Sequence, residues 1–343
     1  MKLHEINHIP ERLLETEATD LEALLGRPTL IHLQGRQEPA LFVSVLMHGN
    51  ETTGWEAARA LLKRYCDPQG NVNLPRSLSL FIGNVSAAAK GLRRLDNQPD
   101  YNRVWPGCGT PYVEEHGLMQ QVVDSMMERG LFASVDLHNN TGLNPHYACT
   151  NFLDNRFLHL AAMFSRIVVY FLRPKGVQSM AFGEHCPAVT LECGKVGTAY
   201  GVEHAIEYLD ACLHLSEHPA HPVAEHDIEI FHTVAIVKVL DNVTFGFGEH
   251  GLDLCFADDL DRLNFRELPA GSSFGHIKPG HGVGLEARDE SGRDVTANYF
   301  MLDQGELRLR VEVMPSMLTK DHRVVRQDCL CYLMERYSPV VSG

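Results

Sequence analysis

Four short segments of the chain carry side chains whose types and spacing could do chemistry. Met47-His48-Gly49-Asn50-Glu51 sets a histidine three residues before a glutamate, and the glycine between lets the backbone curl until both face one point. Neutral imidazole and carboxylate are good zinc ligands, but two do not complete a site. Asp136-Leu137-His138-Asn139-Asn140 supplies a third candidate, His138. Three protein ligands with one open position are the pattern of catalytic rather than structural zinc. Val189-Thr190-Leu191-Glu192-Cys193-Gly194 ends an apolar run on a carboxylate. Glu192 could serve as a general base if it reached a water whose pKa a bound metal lowers to about 7. Asp100-Tyr101-Asn102-Arg103-Val104-Trp105-Pro106-Gly107 follows Arg93-Arg94. An Asn-Arg pair in such a loop can clamp a carboxylate, with arginine supplying the bidentate fork.

Each segment also has a plainer reading. The chain has 19 histidines, so any one of them is more often a surface or core residue than a ligand. Glu192 could cap a helix or form a salt bridge, and Arg103 could pack on Trp105. The metal reading gains weight because both ligand motifs stand where an apolar run ends.

Those runs are the elements that must position the chemistry. Residues 41–46, 78–82, 134–137 and 188–191 read as short buried strands. Helical spacing covers 55–65, 117–129 (closed by Gly130) and 202–215. Strands alternating with helices predict an α/β fold with a mostly parallel, doubly wound sheet covered on both faces. In such a sheet, ligands gather beyond the carboxyl ends of strands, where His48, Glu51, His138 and Glu192 fall. Residues 216–226 turn Pro- and His-rich and read as a linker. Beyond it, 234–240, 274–277, 282–285 and the alternation Leu307, Leu309, Val311, Val313 predict a β-rich barrel or sandwich. The expected division is a catalytic domain over 1–220 and a β-rich domain over 227–343.

Composition bounds the class. Hydrophobic residues at 44% and charged residues at 22% suit a globular protein with a substantial core. A net charge of −14, from 44 acidic against 30 basic residues, argues against a nucleic-acid partner, which needs a basic surface. Residues 1–20 hold no apolar stretch of signal-peptide length, and no run approaches the roughly 18 apolar residues that span a membrane. Nine cysteines with no paired framework fit reduced thiols in the cytoplasm. Cys329 and Cys331 would need two further ligands to hold zinc.

In order along residues 40–200, the His-x-x-Glu, the Asn-Arg pair, the Asp-Leu-His strand end and the late Glu-x-Gly resemble the succinylglutamate desuccinylase/aspartoacylase family. That family lies within the wider zinc carboxypeptidase fold group. The resemblance implies one zinc ion per chain on His48, Glu51 and His138, Glu192 as general base, and Asn102 and Arg103 on the substrate carboxylate. An arginine shortly before the Asn-Arg pair would polarise the scissile carbonyl; Arg94 is the nearest match, with Arg93 the alternative. A C-terminal β domain would partly shield the site. One departure stands out: residues 176–185 contain no arginine where aspartoacylases place the one that recognises the aspartate side chain. The expected function is therefore zinc-dependent hydrolysis of the amide bond of a small N-acyl amino acid or similar acyl compound. The alternatives are a metallocarboxypeptidase acting on peptides and, from another class, a non-catalytic zinc- and carboxylate-binding protein. The expected partner is a small-molecule carboxylate substrate, with neither nucleic acid nor membrane, and an oligomer is compatible with the sequence.

Overall fold

A strand that is buried at every position, such as Ala40-Leu-Phe-Val-Ser-Val45, has no face to give to water and needs cover on both sides. The computed structural model, which describes residues 2–67, 69–249 and 251–337, supplies that cover. Among the described residues, the first compact unit comprises 2–139, 146–170 and 174–229. Its strands are β1 (His4–Ile6), β2 (Thr29–Leu33), β3 (Ala40–Val45), β4 (Leu78–Ile82), β5 (Leu131–Asn140), β6 (Tyr147–Thr150), β7 (Ile167–Tyr170) and β8 (Ala188–Lys195). They lie side by side in the order β1-β2-β4-β3-β5-β8-β6-β7. The pairs β1–β2, β3–β4, β3–β5 and β6–β7 are parallel, while β2–β4 and β6–β8 are antiparallel.

Alternation within single strands feeds two separate cores. Leu41, Val43 and Val45 of β3 join Leu78, Leu80 and Ile82 of β4 on one face. The helices α2 (Thr53–Tyr65), α5 (Asn155–Ala162) and α7 (Ala199–His214) cover that face. Phe42 and Phe81 point the other way, into a cluster with Trp105, Phe182 and the helix α4 (Glu114–Arg129). The shorter helices α1 (Leu21–Leu25), α3 (Val85–Ala88) and α6 (Gln178–Gly183) complete the unit. Gly130 ends α4 at φ 81, a conformation open to glycine at little cost. The doubly covered, mostly parallel sheet is the one the strand–helix alternation predicts.

Among the described residues, the second unit holds 230–249 and 251–337, together with 140–145 and 171–173. The two short segments depart from the expected boundary for a physical reason. Thr141 Oγ1 donates to Thr319 Oγ1 (2.9 Å), Met317 N donates to Asn144 Oδ1 (3.0 Å), and Arg173 Nε donates to the Glu290 carbonyl. The long strand β9 (Glu229–Val239) pairs antiparallel with β13 (Leu285–Arg288) and β17 (Cys331–Arg336), and β17 with β16 (Met314–Ser316). A five-stranded sheet runs β10 (Phe245–Phe247), β11 (Leu254–Phe256), β12 (Ser273–Ile277), β15 (Glu306–Leu309), β14 (Phe300–Asp303). Gln304 and Gly305, at φ 50 and 85, turn β14 into β15, as two-residue hairpins require. The helices α8 (Thr296–Tyr299) and α9 (His322–Gln327) are short.

Two expected strands are trimmed. Residues 282–284 form a turn, because Gly282 (φ 57) and Gly284 (φ 67) take left-handed backbone, and the strand starts only at Leu285. The alternation from Leu307 breaks after Leu309 at a bend over 310–311, beyond which Val313 pairs with Leu268 in an isolated bridge. Cys329 and Cys331 are buried free thiols. No helix among the described residues is long and apolar enough to cross a membrane.

Leu80 is fully buried in the centre of β4. Leu80→Ala should lower unfolding stability by about 2–5 kcal/mol, read from the denaturant midpoint. A change below about 1 kcal/mol would show that this face is not tightly packed.

Candidate metal centre and active site

The site begins with strand register. β3 and β5 run parallel with Ser44 opposite Asp136, and Ser44 Oγ donates to Asp136 Oδ1 (2.6 Å). His138, two residues on, shares the face of Asp136 by the two-residue period of a strand. Beyond β3, Leu46 takes φ 57, a left-handed conformation costing a leucine on the order of 1–3 kcal/mol. Complete burial and a 2.7 Å hydrogen bond from Asn84 N to its carbonyl hold it there. The next turn needs Gly49, since a Cβ would fall 2.2 Å from Ala88 N and 2.3 Å from the Ala87 carbonyl carbon. Gly49 N also donates to the Arg93 carbonyl (3.1 Å), tying this turn to the arginine loop.

His48, Glu51 and His138 come together, each buried, with one potential ligand atom apiece and all three atoms within 4.8 Å of one another. His48 Nδ1 lies 2.8 Å from Glu51 Oε1 and its Nε2 3.0 Å from Asp100 Oδ1. His138 Nδ1 lies 2.7 Å from Glu51 Oε2 and its Nε2 2.7 Å from Asp136 Oδ2. Each imidazole thus turns Nδ1 toward Glu51 and Nε2 toward an outer carboxylate. That arrangement fits zinc: the outer carboxylate keeps the proton on Nε2 and leaves Nδ1 as the ligand atom.

Electrostatics follow from the pairing. Burial works against charge on His138, but Asp136 and Glu51 outweigh it and raise its pKa well above the usual imidazole range. Burial and then Arg93 oppose charge on His48, yet Glu51 and Asp100 raise it. Glu51 is held far below the usual carboxylate range: burial would raise it, and the two histidines prevail. Asp100 is likewise held well below that range, with burial overcome by His48, Arg93 and Arg103. Glu192, buried on β8, behaves oppositely. Burial pushes it up to about 8, with the positive charge of His138 pulling down and Glu51 pushing up.

The structure redistributes the remaining expected roles. Arg93, not Arg94, reaches the centre: it is 8% exposed, its Nη2 lies 3.0 Å from Asp100 Oδ2 and its Nη1 3.5 Å from Glu51 Oε1. Arg94 instead donates from Nη1 to the Gln98 carbonyl (2.8 Å). With the Arg93 main chain pinned to Gly49, consecutive side chains diverge, and only Arg93 faces inward. Asn102 is also not a free clamp. Its Nδ2 donates to Asp136 Oδ2 (3.1 Å) and lies 3.0 Å from His138 Nε2, while its Oδ1 accepts from Gln178 N (3.0 Å). Asn102 therefore orients Asp136, the carboxylate beside His138. Arg103 is half-buried and donates from Nη1 to the Asn102 carbonyl (2.8 Å). Trp105 is not a surface platform but a core anchor, edge-on to Phe81 and Phe182.

Residues 37–211, just over half the chain, match the family model of the succinylglutamate desuccinylase/aspartoacylase catalytic domain. The chain belongs to this family. Its fold is similar to the succinylglutamate desuccinylase of Chromobacterium violaceum (TM-score 0.59, 17% identity, 88% of this chain and 86% of that one). It is similar too to a succinylglutamate desuccinylase/aspartoacylase of Rhodobacter sphaeroides (0.58, 16%, 89% and 88%). Murine aminoacylase 3 also shares the fold (0.56, 15%, 88% and 97%). No curated protein sequence matches the chain.

Sequence reasoning passed over Asp100 and Asp136 as working residues. The signal was present, since Asp136 stands two residues before His138 on one strand face and Asp100 two before Asn102, whose backbone N donates to it (2.8 Å). Asp136→Asn keeps the shape and removes the carboxylate that orients His138. It should weaken metal affinity by about 10–100-fold in a chelator competition. Unchanged affinity would show that Asp136 does not tune the ligand.

Proposed function

We propose that this protein is a zinc-dependent hydrolase that cleaves the amide bond of a small N-acyl amino acid or similar acyl carboxylate. The observation that carries this reading is the convergence of His48, Glu51 and His138, each imidazole backed by a carboxylate, on a chain of the desuccinylase/aspartoacylase family. His48, Glu51 and His138 would hold the zinc ion, which when bound would supply Lewis acidity toward water and a carbonyl. Glu192, with its carboxyl pushed up to about 8, lies in the range where one group can take a proton from water and hand it to the leaving nitrogen. Arg93, whose Nη1 lies 3.5 Å from Glu51 Oε1, stabilises negative charge growing on the carbonyl oxygen in this reading. Arg103, at the partly exposed edge of the turn over 101–103, takes the substrate's carboxylate. The nine unbridged cysteines support a reducing, cytoplasmic setting.

Elemental analysis combined with turnover on a panel of N-acyl amino acids tests the centre. About one zinc per chain is expected, most of it lost in His48→Ala, Glu51→Ala or His138→Ala. Glu192→Gln should keep its zinc and lose about 10²–10⁴-fold in turnover. Full zinc in all three ligand variants, or full activity in Glu192→Gln, would overturn the assignment.

The carboxylate clamp has its own test. Amidating the substrate carboxylate removes a charge-assisted contact worth about 1.5–3 kcal/mol, or roughly 10–150-fold in rate. Arg103→Ala should impose a similar loss on the acid but scarcely change the amide, the non-additivity of a direct contact. Equal rates for acid and amide in the unmodified enzyme would remove Arg103 from this role.

A further inference from the structure

A second group of reactive side chains lies on the segment between the Arg103 turn and α4, outside the metal centre. His116, in the first turn of α4, brings Nε2 to 3.0 Å from Cys108 Sγ and 3.0 Å from Thr110 Oγ1. The proton on that ring is placed by the backbone. Val113 N donates to His116 Nδ1 (2.9 Å), the shorter of its two contacts there, the other being the Val113 carbonyl (3.2 Å); with Nδ1 accepting, the neutral ring carries its proton on Nε2. Thr110 Oγ1 donates to Cys108 Sγ as well (3.4 Å). Two donors, one N–H and one O–H, therefore converge on a single sulfur. Tyr112 stacks on the imidazole, with ring centroids 5.6 Å apart and planes 21° from parallel, and holds the ring in this orientation.

The remaining cysteines are placed differently. Six of the nine are buried, and only Cys66 and Cys255 share the partial exposure of Cys108. The Cys66 thiol is pushed up by burial and by Asp67 and Glu15, which disfavours its reactive form. Cys255 turns its sulfur to the Phe256 carbonyl (3.8 Å), an acceptor that does nothing for negative charge on sulfur.

We propose that Cys108 is a site of reversible thiol–disulfide exchange with low-molecular-weight disulfides, activated by His116 and Thr110. The Cys108 sulfur attacks one sulfur of a small disulfide RSSR. A new S–S bond forms, the old one breaks, and the expelled RS⁻ takes up the proton the Cys108 thiol gave to solvent. The products are the mixed disulfide at Cys108 and one RSH, with no net gain or loss of electrons. Partial exposure admits the reagent, and the converging donors stabilise negative charge on the attacking sulfur. A second thiol reverses the reaction by the same route.

The test treats the full-length protein with oxidised glutathione at neutral pH and follows each cysteine by peptide mass mapping. The mixed disulfide at Cys108 should form about tenfold or more faster than at Cys66 or Cys255, and dithiothreitol should remove it. His116→Phe keeps an aromatic ring to stack on Tyr112 but removes the donor, and should slow the Cys108 reaction about tenfold. Thr110→Val, a milder change on an exposed residue, should slow it by a smaller factor and serves if His116→Phe fails to fold. Reaction at Cys108 no faster than at Cys66 or Cys255 would overturn the proposal. Undiminished rates in folded His116→Phe, or in Thr110→Val when that variant has to serve, would do so too.

Discussion

Ionisable groups taken out of water must be matched by partners close at hand, since an unpaired buried charge costs several kcal/mol. Here five of them are strung in alternation: Asp136, His138, Glu51, His48 and Asp100, with each neighbouring pair 2.7–3.0 Å apart. Arg93 closes the row beside Glu51 and Asp100. The surrounding fold serves this row. The register that sets Ser44 against Asp136 fixes where His138 emerges, and the left-handed Leu46 with the cramped Gly49 swings His48 and Glu51 to meet it. A slip of one residue between β3 and β5 would carry His138 to the opposite face of the sheet.

The same row explains why two buried glutamates can do different work. Glu51 lies between two imidazoles and is held ionised far below its usual range, the state a group able to hold a metal needs. Glu192 is buried too, but there desolvation prevails and its carboxyl rises to about 8. Environments that drive like groups apart in proton affinity separate a ligand from a proton carrier. Arg93 and Arg94 show the geometric counterpart: chemically identical neighbours, of which one is drawn into the buried row and the other is spent on a loop carbonyl.

Elements with strong local signals were legible before any coordinates. The apolar run at β3 and the Gly130 stop after α4 stand where the sequence puts them. Weakly patterned pieces were not. β1, β6 and β7 are only three or four residues long, and short runs of that length carry no period that separates strand from loop. The 282–285 segment failed for a related reason, because its hydrophobic alternation is real but two left-handed glycines forbid the extended backbone.

The sequence by itself determined the chemistry available: two histidines and a glutamate at strand ends, a carboxylate closing a later strand, and an Asn-Arg pair in a constrained loop. Those are properties of residue type and local spacing, which survive in one dimension. Tertiary structure alone decided which partners those groups would have. Asp100 reaches His48 across 52 residues and Asn102 reaches Asp136 across 34, distances in chain that no local pattern encodes. The same packing committed Asn102 to orienting a carboxylate, chose Arg93 over Arg94, and set Cys108 against His116. A side chain's role depends on which donors, acceptors and charges surround it once water is gone, and only the folded chain assembles that neighbourhood.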